Sequence, residues 1–165
     1  MKKIYNLKKK YKFKIIEDAS HALGAKYYNS KIGNCNYSDL CVFSFHPVKP
    51  ITTIEGGIIT TNSKKISNDL KIFREHGITS LFKKTLRPKY YEQVKLGYNY
   101  RMNDVQAALG IEQLKKLDKY NTIRRKLFKR YEKFLTNKII KPKFFNNYLS
   151  SHHLYVILLK FNKIK

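Results

Sequence analysis

An α/β fold is predicted by three features of this 165-residue sequence. Short β-prone apolar runs recur at Phe13-Lys14-Ile15-Ile16, Leu40 to Phe45 and Gly57 to Thr61. Segments with helical apolar spacing lie beside them, which is the alternation expected of βαβ units. The first run ends at Glu17-Asp18, and open α/β sheets bind ligands outside the carboxyl ends of their strands.

The elements follow in order. Ile4, Leu7 and Tyr11 repeat at a spacing of three to four residues and predict a helix. The Phe13–Ile16 strand follows it. The stretch His21 to Tyr28 is small and apolar, and Asn29-Ser30-Lys31-Ile32-Gly33 reads as a turn. Leu40-Cys41-Val42-Phe43-Ser44-Phe45 is a buried strand, Glu55-Gly56-Gly57 a turn, and Gly57 to Thr61 a third strand. Asn62-Ser63 opens a helix with Ile66, Leu70 and Phe73 on one face. Ile78 to Leu96 is basic and irregular. Asn103-Asp104 can cap a long helix through Val105, Leu109, Ile111, Leu114 and Leu117. A second helix is predicted from about Asn121 to Leu135, with Ile123, Leu127, Tyr131 and Phe134 as its stripe. The tail from His153 to Phe161 is β-like and has no obvious partner downstream. No internal repeat is visible.

Composition narrows the function classes. With 42% hydrophobic residues, 13 Tyr and 10 Phe, the chain has the make-up of a globular protein. No apolar run approaches the ~20 residues of a membrane span, and no signal peptide is visible, so the expected location is the cytoplasm. Cys35 and Cys41 lack metal-ligand spacing and are read as reduced thiols; no metal site is expected. The net charge of +24 invites a nucleic-acid reading. Its lysines are spread along the chain among Asn, Ile and Tyr, and no recognition module accompanies them. The charge therefore reads as compositional bias, and no specific nucleic-acid partner is expected.

Three blocks carry chemistry. The first is Ile16-Glu17-Asp18-Ala19-Ser20-His21-Ala22-Leu23-Gly24-Ala25. The second is Phe43-Ser44-Phe45-His46-Pro47-Val48-Lys49-Pro50, continuing to Glu55-Gly56-Gly57. The third is Gly97-Tyr98-Asn99-Tyr100-Arg101-Met102-Asn103-Asp104. Each residue has a bland alternative. Asp18 could cap a helix, His21 could be a satisfied core histidine, Ser44 a strand-end hydroxyl, and Lys49 one lysine among many.

In order and spacing, the blocks resemble the DegT/DnrJ/EryC1/StrS sugar aminotransferases of the pyridoxal-phosphate fold-type I group, from about residue 4 to about 160. The resemblance implies part of the large domain, a mixed and mostly parallel sheet with flanking helices, over residues 1–118. Residues 119–165 would supply a long helix and the start of the small C-terminal domain. Pyridoxal phosphate serves as an electron sink, and such proteins supply a Schiff-base lysine and a partner for the pyridinium nitrogen. By resemblance Lys49 is that lysine and also the acid/base, and Asp18 pairs with the ring nitrogen. His21 lies against the ring oxygen, Ser44 holds the phosphate, and Asn99 reaches a neighbouring subunit's site across a dimer interface. His153, in His153-Leu154-Tyr155, is a candidate contact to the sugar. The expected substrates are a nucleotide-linked keto sugar and an amino donor, glutamate in the family.

The chain also departs from the family. Family members are more than twice this length. The resemblance therefore implies the absence of an N-terminal section that supplies a further phosphate-binding loop, the aromatic residue stacked on the ring and part of the sugar site. It implies that the small domain is also cut after its first strand. Ile54 stands where the family usually has Gly; if that position needs positive φ, a β-branched residue is strained there. Two readings stay open: an aminotransferase, with a separately encoded N-terminal half or as a piece of a split gene, and a non-catalytic remnant.

Overall fold

The computed structural model describes residues 1–79, 91–135, 139–143, 145 and 147–159. Element order is α1 (Lys2–Tyr11), β1 (Ile16–Asp18), β2 (Lys26–Tyr27), β3 (Ser30–Lys31), β4 (Leu40–Ser44), β5 (Gly57–Thr60), α2 (Lys64–Arg74), β6 (Ile78–Thr79), β7 (Glu92–Gln93), α3 (Asp104–Phe134), β8 (Ile139–Ile140), β9 (Tyr148–Leu149) and β10 (Leu158–Leu159).

The central sheet is mixed, in the order β1-β4-β5. β1 runs parallel to β4, with Ile16 opposite Leu40 and Asp18 opposite Val42. β5 returns antiparallel, with Ser44 opposite Gly57 and Cys41 opposite Thr60. β4 is the central strand, and its alternate residues Cys41 and Phe43 point into the core. They pack with Ala19 and Cys35, and Ala22, Leu23, Ile32 and Phe45 surround them. Burial pushes the Cys41 thiol up to about 12, so it stays protonated as an inert core residue, matching the reading of Cys35 and Cys41 as reduced thiols.

The first strand lies later than the Phe13–Ile16 run. Residues 13–15 form a lead-in whose polar groups are held by Asp39. Its Oδ2 accepts from Ile15 N and from Lys8 Nζ, each at 2.8 Å, and the parallel ladder starts only at Ile16. The 29–33 turn is in part a hairpin, with Lys26 opposite Lys31. Ser63 caps α2 by accepting from Ile66 N. Within the irregular 78–96 stretch, β6 and β7 pair antiparallel; residues 80–90 lie outside those described.

The two predicted C-terminal helices are one. α3 runs unbroken over 31 residues and passes through the 118/119 position assigned as a domain boundary. It begins at the expected place, with a capping box in which Asn103 accepts from Gln106 N and Gln106 accepts from Asn103 N. Asn121 had suggested a break. It is fully buried, and its Nδ2 donates to Leu23 O at 3.3 Å, so a tertiary contact absorbs the polar side chain and the helix continues. In the tail, only Leu158–Leu159 forms a strand among the described residues. Its partner lies upstream, with Leu159 opposite Ile139.

Candidate active site

Asp18 ends β1 beside the central strand, and Ala19 N donates to Val42 O at 2.8 Å. Its Oδ1 accepts from Ser20 Oγ at 2.6 Å and from Ser20 N at 3.0 Å. These bonds, the side-chain one foremost, hold the carboxyl below the usual carboxylate range, and His21 and Lys49 add to the effect. Asp18 is therefore an exposed, firmly ionised carboxylate at a strand's carboxyl end. The chain turns sharply after it. Gly24 has φ +76°, and a Cβ there would collide with the Asn121 side chain, so helix and turn close on each other only with glycine.

Ser44 closes β4, and its Oγ accepts from His46 N at 3.3 Å. A tight turn follows, in which Lys49 N donates to His46 O at 2.9 Å. Behind Lys49 the loop is anchored by buried Pro50, Ile51 and Thr53. Thr53 N donates back to Phe45 O at 2.9 Å and Phe45 N to Gly56 O at 2.8 Å. Gln106 at the start of α3 donates to Glu55 O at 3.0 Å. Ile54 lies in this loop at φ +69°, the left-handed conformation in which a β-branched residue is strained.

His153 is brought in from the far end of the chain. Its ring lies 4.4 Å, centroid to centroid, from that of His21. Buried Ser151 fixes this approach by donating to His21 O at 2.7 Å across 130 residues. Burial lowers the proton affinity of His153, and His21, Lys49 and Arg124 lower it further.

Four of the six predicted residues, Asp18, His21, Lys49 and His153, thus share one electrostatic neighbourhood at the carboxyl ends of the parallel pair. Ser44 stands at the end of the adjoining strand. Asn99 is held on a different element, where its backbone bridges Glu75 after α2 between the Tyr98 N–Phe73 O and Tyr100 N–Arg74 O bonds. Sequence reading missed Arg124, whose Nη2 donates to Pro50 O at 3.5 Å. One arginine of the adjacent Arg124-Arg125 pair on a basic helix gave no signal. A cleft of about 660 Å³ opens between β5, α2 and residues 98–106, and none of the six lines it. The ionisable candidates converge at the strand ends, and the cleft wall is mostly apolar.

The arrangement pairs an ionised carboxylate with a half-buried amine, two imidazoles and a strand-end hydroxyl. These donors and acceptors fit pyridoxal phosphate: an anionic partner for a protonated ring nitrogen, an amine for its aldehyde carbon and a hydroxyl for its phosphate.

Comparison with known proteins agrees with the geometry. The model of the DegT/DnrJ/EryC1/StrS aminotransferase family matches residues 1–165. A UDP-4-amino-4,6-dideoxy-N-acetyl-beta-L-altrosamine transaminase of Campylobacter jejuni is 47% identical over 161 residues, 96% of this chain and 41% of that protein. Among solved structures, the Helicobacter pylori aminotransferase PseC, involved in the biosynthesis of pseudoaminic acid, superposes with a TM-score of 0.83 at 35% identity. That match covers 96% of this chain and 42% of the other. The PLP form of a sugar aminotransferase from Streptococcus pneumoniae gives 0.78 at 29% identity, covering 93% and 39%. The chain therefore spans about two-fifths of the length of the relatives it matches. Across the whole of its own length it belongs to the DegT/DnrJ/EryC1/StrS aminotransferase family.

Proposed function

We propose that this chain is the cofactor-lysine portion of a pyridoxal-phosphate-dependent sugar aminotransferase. The reaction moves an amino group, from glutamate, to C4 of a nucleotide-linked 4-keto-6-deoxy sugar for cell-surface glycan synthesis. The similarity to the Helicobacter pylori aminotransferase of pseudoaminic acid biosynthesis supports a pseudaminic-acid-type sugar. The observation that carries the reading is the convergence of Asp18, His21, Lys49 and His153 at the ends of β1 and β4.

The cofactor, when bound, supplies an electron sink for the carbon losing its proton. The rest falls to residues of this chain. Lys49 would hold the cofactor through its amine and would carry a proton to or from the substrate carbon. Asp18 would keep the ring nitrogen protonated, a task that needs a carboxylate ionised at neutral pH, and the two Ser20 bonds help keep it so. His21 would contact the ring oxygen, Ser44 would bind the phosphate, and His153 would contact the sugar. Asn99, set on a separate element, serves a neighbouring subunit's site in a homodimer. The large domain would end near residue 118 and the small domain begin after it, with α3 joining them. The cytoplasm is the proposed location. Among the described residues no helix is long and apolar enough to cross a membrane.

A second reading, a non-catalytic remnant, is favoured by the strained Ile54 in the lysine loop. One experiment separates the two. Incubation with pyridoxal phosphate, borohydride reduction and peptide mapping should place the label on Lys49, and Lys49→Ala should remove it while leaving the circular dichroism spectrum unchanged. Label spread evenly over the lysines, or concentrated on another one, would favour the remnant.

A further inference from the structure

Three side chains on one turn of α3 each reach the backbone of a different segment of the site. Asn121 Nδ2 donates to Leu23 O at 3.3 Å, Arg124 Nη2 to Pro50 O at 3.5 Å, and Arg125 Nε to Ser150 O at 3.5 Å. Those segments carry Asp18 and His21, Lys49, and His153 respectively. Positions three and four apart share a helix face, so residues 121, 124 and 125 present one surface to all three. α3 touches the lysine loop again nearer its start. A Cβ on Gly110 would come within 2.8 Å of Thr53 Cγ2, and Gln106 holds Glu55 O.

Arg124 is the member of this set that meets the lysine turn. Pro50 has no N–H and a fixed φ, so its carbonyl is the backbone handle next to Lys49 on the C-terminal side. A surface arginine sends its head group to water; here Nη1 is buried and has no acceptor among the described residues. Arg124 is also near enough to His153 to disfavour its protonation. Its head group thus reaches the lysine turn and stands near His153.

We propose that Arg124 is the positioning residue of Lys49, clamping the Pro50 carbonyl to α3 so that the lysine leaves its loop in one direction. The lysine side chain has four rotatable bonds, and a misplacement of about 1 Å at a reacting group costs on the order of a hundredfold in rate. The catalytic significance of the clamp rests on the cofactor-lysine reading above; the clamp itself does not.

The test uses the full 165-residue chain with Arg124→Gln and Arg124→Lys. Hydrogen exchange measured by mass spectrometry reports on residues 49–54 and, as an internal reference, on β4. Borohydride reduction with pyridoxal phosphate reports how selectively Lys49 is labelled. Losing one charge-assisted bond should speed exchange in 49–54 about tenfold in Arg124→Gln, with β4 unchanged. The share of label on Lys49 should fall in parallel. Arg124→Lys keeps a cation without the planar fork and should give an intermediate effect, about threefold. Unchanged exchange in 49–54, or equal acceleration in β4, overturns the proposal. If Arg124→Gln does not fold, Arg124→Lys decides by the same criterion. Wild-type protein without Lys49-selective labelling would sink the cofactor reading, while the exchange data would still decide the clamp.

Discussion

Asp18 shows how a residue becomes specialised through its neighbours. Its charge is set mainly by Ser20, which donates twice to one oxygen, and only secondarily by His21 and Lys49. Since the folded carboxyl sits below its ordinary value, it contributes stability above the unfolded pKa of about 4. That contribution is lost as pH falls through the lowered folded value. Ser20→Ala removes the larger of the two bonds and should raise the Asp18 pKa toward the ordinary carboxylate value, as followed by carbon-13 carboxyl titration. A titration unmoved by the substitution would assign the shift to the Ser20 N–H, His21 and Lys49 instead. Asp18 and Lys49 were candidates in the sequence through the resemblance of their blocks to the family, and the fold brings the two into one electrostatic neighbourhood. The helix-cap alternative for Asp18 is not met, since β1 is followed by a turn and not a helix; the bonds to Ser20 close that turn and leave Asp18 at the strand end with its charge intact. The His21–His153 contact and Arg124 were not legible in the same way. The first needs the tail to fold back over 130 residues through Ser151. The second depends on what lies opposite one face of a helix.

At the scale of elements, the loop from β4 to β5 carries the lysine and an internal contradiction. Ile54 at φ +69° follows buried Thr53 and precedes Glu55, whose carbonyl is held by Thr53 and Gln106. The loop therefore keeps the backbone path that suits glycine although the residue is isoleucine. A left-handed conformation costs a side-chain-bearing residue roughly 1–2 kcal/mol. Ile54 is 57% exposed, so its side chain recovers little of this by burial. Ile54→Gly should stabilise the chain by about 1 kcal/mol, slightly less than the strain because glycine also gains freedom in the unfolded state. Urea unfolding would measure it, and a destabilised variant would mean that the side chain makes a compensating contact. The same scale shows where element prediction failed. Apolar periodicity placed α1, α2 and the start of α3 well. It split α3 at a polar residue, Asn121, whose burial against Leu23 no periodicity can reveal. It drew the tail as one long strand, although only two of its described residues pair, and with a partner upstream.

For the whole molecule, the decisive quantity is uncovered surface. Among the described residues, much of the exposed surface is apolar and ordered along elements. Ile4, Leu7 and Tyr11 on α1, Ile58 and Ile59 on β5, and Val105, Ile111, Leu114, Ile123 and Leu127 on α3 are all exposed. Those stripes were legible as amphipathic faces, but the sequence could not say that nothing within the described residues covers them. β1 and β5 each have a single neighbour in their sheet, which leaves two edges that favour association. The chain studied alone should therefore not behave as a compact monomer. Sedimentation velocity should show self-association, and an apolar dye should bind strongly. Transamination with glutamate and a UDP-4-keto sugar should be undetectable, because uncovered faces and open edges leave the site's groups short of the sub-ångström tolerance catalysis demands. Adding the portion of a relative that lies outside its match to this chain should lower dye binding and restore turnover together, since the same surfaces would be covered. A monodisperse, dye-silent monomer that turns over steadily would show that α3 and the three-stranded sheet suffice for both stability and catalysis.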